Sequence, residues 1–180
     1  MNIFDENFKE IFSAEIISVL GGLLAGTILA YHTDKLLFIP GMLILLPGFL
    51  EMRGNISGSL ASRLSSGLFL GVIKPNQFKT KIIRGNLIAS FLLVIFVSLT
   101  LGLLAYLFNY IIFKVSIPKI ILLALIAGII ANIIEVILTL FFTFYLFRKG
   151  YDPNNIMGPF LTTTGDITSI LALLIALVIV

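Results

Sequence analysis

The sequence predicts an all-α integral membrane protein with five transmembrane helices per chain. Three observations predict it. Apolar residues make up 59% of the 180 residues and charged residues 12%, with a mean hydropathy of +1.14; a soluble domain carries about a quarter charged residues. The apolar residues gather into stretches long enough to cross a bilayer, which takes about 20 residues of helix. Basic residues cluster at the ends of those stretches, so the net charge of +3 does not point to nucleic acid. The chain reads as a short cytoplasmic segment, 1–10, followed by one transmembrane domain, 11–180.

Residues 1–10 carry mixed charges (Asp5, Glu6, Lys9, Glu10) and lack the basic start and cleavage site of a signal peptide. They suit an amphipathic segment on the membrane surface. The first span is expected at about 11–31. Ala14, Ser18, Gly22, Gly26 and Ala30 recur at every fourth position, a small-residue seam that lets another helix approach. Glu15 is expected at the membrane interface.

The second segment, 36–70, is unusual. Its apolar half ends at Pro47-Gly48, and Glu51, Arg53, Asn55 and a run of serines follow at membrane depth. Such a segment is expected to be kinked or broken, and irregular backbone is tolerated there only when it is buried in protein or lines a cavity. At about 100° per residue, Glu51, Asn55, Gly58, Ser59, Ser62 and Ser66 share one arc and Arg53 lies opposite. That arc reads as pore lining; the bland alternative is a helix leaving the bilayer with its serines packed on neighbours.

A basic loop (Lys74, Lys79, Lys81, Arg84) leads to the third span, about 86–113, almost purely apolar and expected to be structural. The fourth span, about 120–147, carries Asn132, Glu135, Thr139 and Thr143 on one face. A carboxylate in mid-span must be neutral, paired or hydrated. Glu135 is thus an ion-pair partner of Arg53 or Arg63, a cation ligand or a proton acceptor. Asp152-Pro153 signals a turn and a helix start before the fifth span, 158–180.

That last span brings a second mid-membrane acid. Gly158, Thr162, Gly165, Asp166 and Ser169 fall on one stripe at spacings of three and four. An ionised group there costs from about 2.5 kcal/mol to more than 10, so it is normally kept for a wet cavity, a partner or an ion. One anion, hydroxyl oxygens and glycines with bare carbonyls make a surface for a hard cation. With no Cys and the lone His32 at a segment end, disulfides, thiolate chemistry and a zinc-type His cluster are excluded. With the N-terminus in the cytoplasm and the C-terminus outside, seven Lys and Arg fall on inner loops and three on outer ones (Arg53 and Arg63 set aside). The positive-inside rule prefers this orientation.

Two separated stretches resemble one family. Pro47-x6-Gly54-Asn55-x5-Ala61-Ser62-Arg63-Leu64-Ser65 is similar to the second-helix signature of the MgtE-type divalent-cation transporters, nearest to their solute-carrier-41 and half-size relatives. Gly150-x-Asp152-Pro153-x5-Pro159-x3-Thr163-x-Gly165-Asp166 resembles the junction into the same family's fifth helix. The resemblance implies a plasma-membrane transporter with a pore between the second and fifth helices at a homodimer interface, where Asp166 holds hydrated Mg²⁺. It implies Asn55, Thr162 and carbonyls beside Gly54 and Gly165 around the water shell. Glu51, Glu135 and Asn132 complete the candidate cation-site residues. MgtE proper has cytosolic Mg²⁺-sensing domains, and this chain is expected to be the membrane domain without them, leaving room for a separate regulatory subunit.

Glu51, Arg53 and Glu135 add charge to the simplest such pore. The closest rival reading is an antiporter coupled to H⁺ or Na⁺ through Glu135 or Glu51. An intramembrane acid–base enzyme using Asp166 with Glu135 lacks a protease signature. A non-transporting assembly subunit would use the polar stripes as interhelical glue.

Overall fold

The computed structural model describes residues 6–180 and is helical throughout, with no strand among the described residues. Its elements are α1 (Glu6–Tyr31), α2 (Thr33–Leu37), α3 (Met42–Phe69), α4 (Lys81–Phe113), α5 (Lys119–Arg148) and α6 (Pro153–Ile179). Residues 1–5, half of the expected N-terminal segment, lie outside the described residues. Glu6–Glu10 form the first turns of α1.

Among the described residues, four helices are long and apolar enough to cross a membrane: α1, α4, α5 and α6. The fifth long helix, α3, has the length at 28 residues but carries Glu51, Arg53, Asn55 and Arg63 in its body. Protein neighbours cover its polar inner side, because α3 packs against α4, α5 and α6. Outward-facing Leu23, Ile88, Phe96 and Ile112 on α1 and α4 are exposed, the surface that a bilayer solvates without hydrogen-bonding cost.

The expected break at Pro47-Gly48 is absent: α3 runs unbroken through both. Pro47 lies in the second turn, where its missing N–H removes one backbone bond, the one to the Leu43 carbonyl, without ending the helix. The interruption in segment 36–70 comes earlier, at residues 38–41, where Gly41 has φ +88°. A Cβ at Gly41 would also stand 3.1 Å from the Asn109 side chain and 3.2 Å from Ile120. Gly48 serves packing instead, since a Cβ there would meet Leu101 of α4 at 2.8 Å.

The core lies where α3, α4, α5 and α6 meet, around Leu45, Phe49, Val94, Leu123, Ala127 and Leu173. Small residues on α5 let its neighbours close in. Gly128 admits Ser98, and Gly102 of α4 lies so near that its Cβ would stand 2.8 Å from Ile121 Cα. The third span therefore holds a packing seam (Ser90, Ser98, Gly102, Ala105) that its apolar composition concealed.

The helix α1 is peripheral and touches only α6 and α2. Its contact edge is Ser18, Gly21 and Ala25 rather than the expected seam through Gly22 and Gly26, beside which a Cβ would meet open space. The Thr163 hydroxyl of α6 holds this edge, 2.9 Å from Ser18 Oγ and 3.1 Å from the Ser18 carbonyl.

The two ends of the bundle differ. Arg148 stacks 5.7 Å from the Phe78 ring centroid, and Asn155 donates to Glu10 at 2.9 Å. Lys35 and Lys119 gather with Val180 at the opposite end, where Lys119 Nζ donates to the Val180 oxygen at 2.9 Å.

Candidate functional site

Helical periodicity divides α3 into two faces. Glu51, Asn55, Ser59, Ser62 and Ser66 are exposed, Gly58 is half-buried, and Arg53 on the other side is fully buried. On α6, Asp152 caps the start by accepting from Asn154 N at 2.8 Å, and Pro153 occupies the first turn, where no N–H is needed. The helix this launches carries Gly158, Thr162 and Asp166 along one side.

These two faces meet in a cavity of about 370 Å³. From α3 it is lined by Pro47, Leu50, Glu51, Gly54, Asn55 and Gly58; from α6, by Gly158, Leu161, Thr162, Gly165 and Asp166. Its only charged groups are the Glu51 and Asp166 carboxylates. A second hollow of about 310 Å³ shares Gly58 and Gly158 with it and continues past Ser62 to Asn154. Together they form a groove built from α3 and α6 alone.

The glycines make the space. A Cβ added at Gly54, Gly58, Gly158 or Gly165 would meet nothing within 4 Å, although Gly165 is itself buried. None of the four has positive φ. They are helical residues whose missing side chains are the cavity.

Oxygen atoms dominate the polar lining. Asn55 Nδ2 donates to Glu51 Oε1 at 3.0 Å, orienting the carboxylate and leaving the amide oxygen outward. The Thr162 hydroxyl donates to the Gly158 carbonyl at 3.1 Å and keeps its lone pairs. Among the described residues, no group of three or more His, Cys, Asp or Glu side chains stands close enough to hold a metal ion directly. Two carboxylates suit an ion that keeps its water.

Six of the eight candidate residues thus share this cavity: Glu51, Gly54, Asn55, Thr162, Gly165 and Asp166. Asn132 and Glu135 do not line it. Both are fully buried on the inner face of α5 with Thr139 and Thr143. Ser169, on the expected stripe, is also fully buried and faces away.

Behind the cavity, Arg53 Nη1 donates to Asn132 Oδ1 at 3.3 Å, and Nη2 lies 3.4 Å from Ser57 Oγ. Glu135 Oε1 lies 3.0 Å from the Thr168 hydroxyl of α6, whose single proton it shares with the Thr164 and Gly165 carbonyls at 2.8 and 3.2 Å, and it is within electrostatic reach of the Arg53 guanidinium. Arg53 is therefore the opposite charge for Glu135, while Arg63 is exposed and donates to Ser59 at 2.8 Å. Glu135 Oε2, Arg53 Nε and Asn132 Nδ2 make no hydrogen bond within 3.5 Å among the described residues, though the Thr164 and Ser57 hydroxyls also stand near the Glu135 carboxyl. Opposite charges so enclosed depend on each other, because removing one partner of a buried pair costs about 3–5 kcal/mol. The sequence announced Arg53 and Glu135 as mid-span charges. It gave no sign of Thr168, one threonine among several on α6.

The family model of the MgtE divalent cation transporters matches residues 46–176. No curated protein and no solved structure matches the chain. The matched region runs from the start of α3 almost to the end of α6, spanning the cavity and the buried cluster behind it. The chain belongs to the MgtE family of divalent cation transporters.

Proposed function

We propose that this protein moves Mg²⁺, or a similar hard dication, across a membrane along the groove between α3 and α6, with Asp166 as the central cation-binding group. One observation carries the reading: a cavity whose only charges are two carboxylates, widened by four glycines. Mg²⁺ dehydrates reluctantly and prefers octahedral oxygen coordination, so proteins often hold it through its waters. Six waters at about 30 Å³ each take up about 180 Å³, which a 370 Å³ cavity accommodates. Asp166 and Glu51 attract the charge, and Asn55, Thr162 and helix carbonyls beside Gly54 and Gly165 bond the water shell. Hydrated passage needs no chelating cage, in keeping with a polar lining dominated by oxygen atoms.

The groove opens on an outer surface of α3 and α6, so a second copy related by a two-fold axis closes it into a pore and brings a second Asp166. All five long helices, α3 included, cross the bilayer in this arrangement, with the Arg148 end in the cytoplasm. The driving force is the membrane potential, worth about 4.6 kcal/mol for a dication per 100 mV.

A second reading, an H⁺- or Na⁺-coupled antiporter, draws on Glu51, which shares the cavity with Asp166. Flux of Mg²⁺ into proteoliposomes, with and without a pH or Na⁺ gradient, separates the two. Saturable flux that follows the potential alone supports the channel; flux that needs a gradient supports the antiporter. Absence of flux for any dication from a folded dimer sinks both and favours an assembly subunit.

A further inference from the structure

Asn132 and Glu135 stand three residues apart on the inner face of α5, and each grips a different cavity helix. Asn132 Oδ1 accepts from Arg53 of α3 at 3.3 Å, and Glu135 Oε1 lies 3.0 Å from the Thr168 hydroxyl of α6, whose one proton it shares with the Thr164 carbonyl at 2.8 Å. Arg53 is two residues from both Glu51 and Asn55, and Thr168 is two residues from Asp166. Two residues on a helix are about 200° apart, so each gripped residue lies opposite a cation-facing one. We propose that this cluster is a positioning clasp: α5, which lends no residue to the cavity, fixes the rotation and spacing of α3 and α6 and thereby the placing of Glu51 and Asp166.

The charges favour a clasp over a second ion site. Arginine is permanently protonated and donates only, so Arg53 balances Glu135 and repels a cation. The clasp is a polar link joining α3, α5 and α6 beside a core of apolar and small side chains. A side chain ends about 5–6 Å from its helix axis, so a 20° rotation moves its tip by about 2 Å. That displacement is comparable to a water layer.

The proposal rests on the transport reading for its functional readout, and two variants test it. Arg53→Met with Glu135→Met removes both charges together, avoiding an orphaned ion; such replacements are often tolerated. Thr168→Val removes the α6 hydroxyl at nearly constant volume and serves alone if the double variant does not fold. Losing a hydrogen bond that aligns the site corresponds to about a fivefold rise in the Mg²⁺ concentration for half-maximal flux. Discrimination between Mg²⁺ and the larger Ca²⁺ is expected to fall as well, in a variant that still melts cooperatively. Half-saturation and discrimination equal to wild type in a folded variant overturn the clasp.

A second measurement does not depend on transport. The chain has no Cys, so spin labels at Ser59→Cys and Asn154→Cys, with the labelled chain diluted in excess unlabelled chain so that a dimer holds at most one labelled copy, report the α3–α6 distance within a protomer. Cutting the clasp is expected to broaden or shift that distribution, and an unchanged one counts against it. If Asp166→Asn leaves flux intact while the labels move, the transport reading fails and the clasp stands; the converse pattern sinks the clasp alone.

Discussion

Glu51 and Arg53 stand two residues apart on α3 and point in opposite directions, Glu51 into the cavity shared with Asp166 and Arg53 into the protein interior at 0% exposure. One helix thus offers an anion to the groove and holds a cation behind it, where Asn132 and Glu135 of α5 receive it. The separation keeps the guanidinium out of the cavity that Glu51 and Asp166 line.

The four cavity glycines predict a split between stability and activity. Alanine is favoured over glycine in a helix interior by about 0.8–1.0 kcal/mol, and no atom obstructs the new methyl group at Gly165. Gly165→Ala is expected to hold or raise the melting temperature in detergent, by about 2–4 °C, while lowering Mg²⁺ flux. A variant as active as wild type would place the ion path elsewhere.

Gly102 predicts the reverse. A Cβ there would press on the Ile121 backbone at 2.8 Å, and overpacking of this kind costs about 1–3 kcal/mol. Gly102→Ala is expected to melt earlier than wild type, with its residual folded fraction still binding Mg²⁺ normally.

For the buried pair, a double-mutant cycle is informative. Arg53→Met alone strands Glu135 and Glu135→Met alone strands Arg53, each at a cost of about 3–5 kcal/mol. The two changes together are expected to cost far less than their sum, and additive losses in thermal melts would mean that the charges do not compensate each other.

The peripheral helix gives a fourth expectation. Thr163 bonds Ser18 across the α1–α6 contact, and losing such a bond costs about 1 kcal/mol. Thr163→Val is expected to raise hydrogen exchange across α1 and leave α4 and α5 protected; uniform exchange over all helices would contradict α1's independence.

Much of this was legible in the sequence because helical period acts on exposure. The arc through Glu51, Asn55 and Ser59 faces outward and Arg53 inward, as 100° steps require, and Asp152-Pro153 starts α6 where cap chemistry places it. What periodicity alone could not supply was which buried face meets which. The inward face of Asn132 and Glu135 was readable, but not that α3 and α6 would both turn their polar outer faces away from it. The α1 contact fell one residue from the expected seam because packing depends on the partner, here the bulk of Thr163 against Gly21. Pro47 does not break α3: it forgoes one backbone bond, the one to the Leu43 carbonyl, and the helix around it continues.

The most direct test of the central claim is Mg²⁺ flux under an imposed potential in proteoliposomes of wild type and Asp166→Asn. Asparagine keeps the shape and the oxygen of Asp166 but removes its charge from the cavity. The account predicts saturable wild-type flux and a loss of at least about tenfold in the variant, the counterpart of about 1.4 kcal/mol of lost attraction, with its melting temperature unchanged. Equal flux from the two proteins would contradict it.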